Sequence, residues 1–245
     1  MKLQRLLIPF LFIFSYHAQA AINPGNDINQ GGELILSVWD DATQASYTLD
    51  LGVTTRNFEE NGTLSYDLSY DENWIQFVSN AQDLRWDIVG SDRDRAPWPG
   101  ESVNGVMTTA RIGDDASVTT IRYSLYNTLQ SSVEQYANLL NRQERDYDIH
   151  KSYLNKDAGD TSVWGSFNNN VDFASAGYGE SMEFWHLTTL GQIDNQTGRP
   201  YHTAVHTKMA STWILDNNQL VYATAIPVPA AVWLFGSALA GLVGV

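Results

Sequence analysis

Along most of the chain apolar side chains alternate with polar ones. Tyr47, Leu49, Leu51 and Val53 form one such set, Leu64, Tyr66, Leu68 and Tyr70 a second, and Leu84, Trp86 and Ile88 a third. Successive strand residues point to opposite sides, so a period of two places each set on one face of a β-strand. Residues 106–112 and 118–125 read as two more strands. Turn-forming clusters separate the runs: Asn61-Gly62, Gly113-Asp114-Asp115 and Ala96-Pro97-Trp98-Pro99-Gly100. Residues 213–215 and 220–222, on either side of Asp216-Asn217-Asn218, predict a closing hairpin. Short strands at this spacing predict a mainly β fold, a single β-sandwich-like domain.

One stretch changes period. Val133, Tyr136, Ala137 and Leu140 recur at helical spacing, and Ser131-x-x-Glu134 has the form of a capping box. Arg142 and Arg145 lie where cations suit the C-terminal end of the helix dipole. The pattern predicts one short helical insertion packed on a side of the sandwich. From residue 161 onward the chain returns to strands divided by Gly- and Asn-rich loops.

The two ends follow different rules. Residues 1–20 have the layout of a secretory signal peptide: Lys2 and Arg5, an apolar run over 6–16, then Ala18-Gln19-Ala20 as a small-x-small cleavage pattern after Ala20. At the other end no charge follows Asp216, and Pro227 and Pro229 stand before an unbroken apolar run over 230–245. As a helix that run would span ~24 Å, somewhat under the ~30 Å of a bilayer's hydrocarbon core. It is apolar on every side, unlike a helix that packs one face on a core. Pro229 suits a first helical turn and pushes Val228 towards an extended backbone. Gly236, Ala240 and Gly244 add a small-residue stripe suited to close helix packing.

In its order of residues, Ile226-Pro-Val-Pro-Ala-Ala-Val-Trp-Leu-Phe-Gly-Ser-Ala-Leu-Ala-Gly-Leu-Val-Gly resembles the C-terminal sorting signal of PEP-CTERM proteins, in its VPLPA-type variant. Pro227, Val228, Pro229 and Ala230 match the motif, and residues 233–236 match the start of the membrane helix. The match covers about a tenth of the chain, and it departs from the family pattern in lacking an Arg/Lys cluster after the helix. Residues 33–40 and 46–52 also look like the front end of many exported proteins of this kind. The resemblance implies recognition by an exosortase-type membrane protease, anchoring in the membrane by the C-terminal helix at least transiently, and delivery to the cell envelope or extracellular surface with exopolysaccharide as an associate. The expected layout is a signal peptide over 1–20, an exported acidic β-sandwich domain over 21–225, and a transmembrane sorting signal over 226–245.

Charge and cysteine content narrow the rest. The chain has 28 acidic and 14 basic residues, a net charge of −14, and loss of Lys2 and Arg5 with the leader takes it to −16. Such a molecule repels nucleic acid and anionic membrane surfaces. It has no cysteine, which excludes disulfides, thiol catalysis and Cys-based zinc sites.

Residues that invite chemistry have simpler explanations. Gly179-Glu180-Ser181-Met182-Glu183 misses the final glycine of a nucleophile elbow and leads into a strand-like run. His202 and His206, four apart, share a face but lack the glutamate of a zincin helix. Glu180 with Glu183, or Glu59 with Glu60, could supply a glycosidase only if held across a cleft. Asp92-x-Asp94 and Asn155-x-Asp157-x-Gly159-Asp160 alternate oxygen ligands, yet neither completes a calcium loop. Trp98, between two prolines, is the tryptophan best placed for exposure on a sugar-binding surface, although plugging the end of the sandwich is its commoner use. The expectation is therefore a non-enzymatic exported protein with no catalytic residue, metal or cofactor; the alternative is a carbohydrate-binding module or glycan-active enzyme carrying the same signal.

Overall fold

The computed structural model describes residues 22–25, 31–60, 62–92, 98–143, 152–155 and 174–224. The signal peptide with Ala18 and Ala20, and the sorting motif Pro227 to Ala230 with its helix, lie outside the described residues. Among those described, no helix is long and apolar enough to cross a membrane.

Among the described residues ten strands form one antiparallel sheet. In chain order they are β1 (Glu33–Asp40), β2 (Ala45–Thr54), β3 (Leu64–Asp67), β4 (Leu84–Ser91), β5 (Ser102–Arg111), β6 (Ser152–Asn155), β7 (Ala176–Gly177), β8 (Ser181–Ile193), β9 (Pro200–Asp216) and β10 (Gln219–Ala223). Their order across the sheet is β3-β10-β9-β8-β5-β4-β1-β2-β6, with β7 beside β4. β4 and β5 pair over three residues only, at Val89, Gly90 and Ser91, and the sheet as a whole is curled. Its two halves face each other across one apolar core, and the Tyr66 hydroxyl of β3 reaches the Leu51 carbonyl of β2 at 2.7 Å. The expected sandwich is thus mainly β as read, but it is one curled sheet.

The alternation read from the sequence builds this concave core. Leu34, Leu36 and Val38 of β1, Tyr47, Leu49 and Leu51 of β2, Trp86 and Ile88 of β4, and Phe184, Trp213 and Tyr222 all lie in it. Leu64 and Tyr66 pack against it and Leu68 joins it, whereas Tyr70 leaves the pattern and is exposed. The hairpin at 216–219 forms as expected, with Asn217 and Asn218 at positive φ of 49° and 59°, the conformation a two-residue hairpin turn requires.

The helices depart further from expectation. Three occur among the described residues: α1 (Glu72–Val78), α2 (Asp115–Thr119) and α3 (Tyr123–Gln143). Asp71 caps α1 by accepting the Trp74 N–H, and Trp74 and Phe77 plug one end of the concave core. α2 and the first turn of α3 occupy 118–125, where a strand was expected. Ser131 lies in the middle of α3, so the capping box is an accident of spacing. The helical face is right: Val133, Tyr136, Ala137 and Leu140 are all buried with Ile35, Trp39 and Val89 on the convex side of the sheet. With both faces of β1 and β4 covered, alternate apolar positions cannot report which face holds the core.

Candidate functional site

Among the described residues, a buried polar cluster lies at the Asp92 end of β4. The alternation of β4 puts Trp86 and Ile88 in the core, then Gly90, then Asp92 just past the strand end, all on the concave face. Asp92 is fully buried, and Arg56, one-fifth exposed, grips it through both carboxylate oxygens: Nε donates to Oδ2 at 2.6 Å and Nη2 to Oδ1 at 2.9 Å. A bidentate, charge-assisted pair of this kind is the strong form of an ion pair. The backbone of Asp92 is held as well, its N–H by the Gly105 carbonyl at 2.7 Å and its carbonyl by Gln130 Nε2 at 2.8 Å.

His186 belongs to the same end. It follows Phe184 on the concave side of β8, opposite Met107 of β5. Burial lowers its pKa below the usual 6.5, while the nearby Asp92 charge works the other way. Its Nε2, like the Thr55 hydroxyl, has no hydrogen-bond partner among the described residues. Among the described residues His186 Nε2 binds no hydroxyl, and Asp92 is occupied by Arg56. The described geometry is therefore that of a clamp, tying residues 55–56 to the end of β4.

Elsewhere the candidates separate. Ser181 opens β8 directly from a turn, so the strand-turn-helix of an elbow is absent. Glu180 accepts the Gly177 N–H at 2.8 Å, whereas Glu183 binds Lys208 Nζ at 2.7 Å on the convex face. Lys208 also reaches Asp115 at 3.1 Å and lies 5.5 Å from the centre of the Trp185 ring. The two carboxylates thus serve different parts of the fold. Glu60 accepts the Ala210 N–H at 3.1 Å. His206 and His202 do share a face of β9: His206 Nε2 meets the Ile121 carbonyl at 3.1 Å, and His202 packs against Tyr123 with ring centres 5.0 Å apart. Among the described residues no group of three or more His, Cys, Asp or Glu could hold a metal ion. Asp94, Asp157, Gly159 and Asp160 lie outside the described residues.

Trp98 is the clearest correction. It is 68% exposed rather than a plug, in a turn docked on β8 by Gly100 N–H to the Gly191 carbonyl at 2.8 Å and Gly191 N–H to the Glu101 carbonyl at 2.9 Å. Ile193 and Tyr201, at the end of the β8–β9 hairpin, are also exposed. The Arg56–Asp92 pair escaped sequence reading because its partners are 36 residues apart. The only local signal was a charged residue at a position where alternation calls for an inward side chain.

No family model matches this chain, nor does any curated protein or solved structure.

Proposed function

We propose that this chain is a non-enzymatic exported protein of the cell surface or extracellular matrix, sorted through its PEP-CTERM-like C-terminus and associated with exopolysaccharide. One observation carries the reading: a charge-free terminus in which Pro227-Val228-Pro229-Ala230 heads an apolar run on an otherwise strongly acidic chain. The leader ending Ala18-Gln19-Ala20 supports it, since a sorting signal acts only on an exported protein. So does the economy of the layout: β10 ends at Ala223, and only three residues separate it from Pro227. An exosortase-type protease is the partner this reading requires. Intact-mass measurement of the chain from envelope and secreted fractions tests it. The expected product starts at Ala21 and has lost the apolar run, and replacing Pro227 and Pro229 by alanine leaves an unprocessed chain in the membrane. A product that keeps both ends and is freely soluble in the medium overturns the proposal.

The exposed Trp98 favours a second reading for the exported domain, a carbohydrate-binding module. An indole standing clear of the fold offers an apolar face with a polar edge. Glycan-array binding that disappears in Trp98→Ala, with folding retained, supports this reading, and undiminished binding refutes it.

A further inference from the structure

Strand β9 is seventeen residues long, and β8 accompanies it from Pro200 to Ile214. On its other side β10 covers only Thr212 to Asp216. Among the described residues nothing pairs with that second edge from Pro200 to Ser211. The two terminal strands of the sheet, β3 and β6, are by contrast four residues each. Short terminal strands are a common protection against edge-to-edge association, and a long open edge lacks it.

The direction of the free groups follows from the hydrogen bonds. Gly191 turns its N–H and carbonyl towards the 98–101 turn, so Leu190, Thr188 and His186 turn theirs towards β9. Register then pairs them with Thr203, Val205 and Thr207. The N–H and carbonyl groups of His202, Ala204, His206 and Lys208 point to the open edge. Ala210 continues the series, and its N–H is already taken by Glu60. The free ladder is bounded by that cap at one end and by Pro200, which has no N–H, at the other.

We propose that this edge is a dimerisation surface, on which β9 of a second copy adds antiparallel about a two-fold axis at Ala204. Isologous pairing of this kind requires a strand complementary to itself. Centring on Ala204 sets His202 opposite His206, and Lys208 opposite Pro200, whose carbonyl accepts the lysine N–H. On the concave side it sets Tyr201 opposite Thr207 and Thr203 opposite Val205, aromatic and β-branched pairs that favour strand association. A shift to Val205 as centre puts Lys208 opposite His202 and calls on the Ala210 N–H that Glu60 holds. Charge agrees: residues 199–208 contain no acid in a chain of net charge −14, and the Lys208 ammonium is balanced by Glu183 and Asp115. Two strongly acidic molecules can meet here without opposing carboxylates. The edge is also held in place, because His202 and His206 pack on Tyr123 and Ile121.

The absence of cysteine makes the test specific. In the full chain in mild detergent, Ala204→Cys places the two Cα atoms of a hydrogen-bonded pair about 5.5 Å apart, within disulfide range. Thr207→Cys on the same strand leaves them about 20 Å apart. The expected result is a disulfide dimer that forms about tenfold faster, or more, for the first variant than for the second. A second arm removes the ladder: Ala204→Pro and Val205→Lys, with unchanged circular dichroism, abolish the dimer seen by light scattering. Equal crosslinking rates at 204 and 207, a monomeric wild-type chain, or a dimer untouched by folded Ala204→Pro and Val205→Lys each overturn the proposal.

Discussion

Replacing Arg56 by methionine removes the guanidinium and keeps most of the stem, which isolates the electrostatic part of the clamp. Asp92 is then left fully buried without its bidentate donor. Breaking a buried pair from one side costs about 3–5 kcal/mol, because the remaining charge has lost its water and its partner. Arg56 is itself one-fifth exposed, so the lower end applies, about 3 kcal/mol. For a domain of this size that lowers the melting temperature by about 6–12 °C. With an m-value of about 2 kcal/mol/M it moves the urea midpoint down by about 1.5 M. Asp92→Asn in the Arg56→Met background restores part of the loss, since an amide in the same place carries no charge to desolvate. Urea unfolding followed by tryptophan fluorescence measures all the variants, and equal m-values show that the same surface is exposed. A loss below about 1 kcal/mol for Arg56→Met would place the pair among exposed salt bridges and refute the reasoning.

Three further outcomes follow from other parts of the fold. Burial depresses the pKa of His186, so as pH falls from 7.5 towards 5 the unfolded chain takes up a proton that the folded chain resists, and stability declines. His186→Gln flattens that part of the pH profile, and parallel wild-type and variant profiles of urea midpoint count against it. Tyr136→Phe leaves the buried Thr48 hydroxyl without the phenol it contacts and costs about 1–3 kcal/mol. Adding Thr48→Val recovers part of it, a coupling that a double-mutant cycle reads directly. Gly105→Ala drives a methyl group into the Leu187 carbonyl and the Tyr126 hydroxyl, so β5 must move away from β8 and α3. The expected loss in thermal or urea unfolding is about 1–3 kcal/mol, and a neutral effect contradicts the close approach.

The fold was partly legible because strand alternation is a local property. The sets at 47–51, 64–68 and 84–88 needed no partner to be assigned to strands, and the Asp216-Asn217-Asn218 turn was readable because few residues tolerate positive φ. Helices were harder. The Asp71 cap of α1 is a single side chain before a seven-residue element. Residues 118–125 carry apolar positions compatible with either period, and packing of Val118, Ile121 and Tyr126 against Trp185 and Leu187 made them helical.

Sequence by itself determined the strand-rich character, the buried face of α3, the acidity, and both terminal patterns on which the proposed export and sorting rest, since these depend on neighbouring residues or on totals. Tertiary structure alone decided that the strands form one curled sheet, that Arg56 meets Asp92, that Trp98 is exposed, and that β9 keeps an open edge. Each of those depends on which distant segments come together, and hydrophobic burial, being non-directional, leaves that choice to the fit of the whole chain.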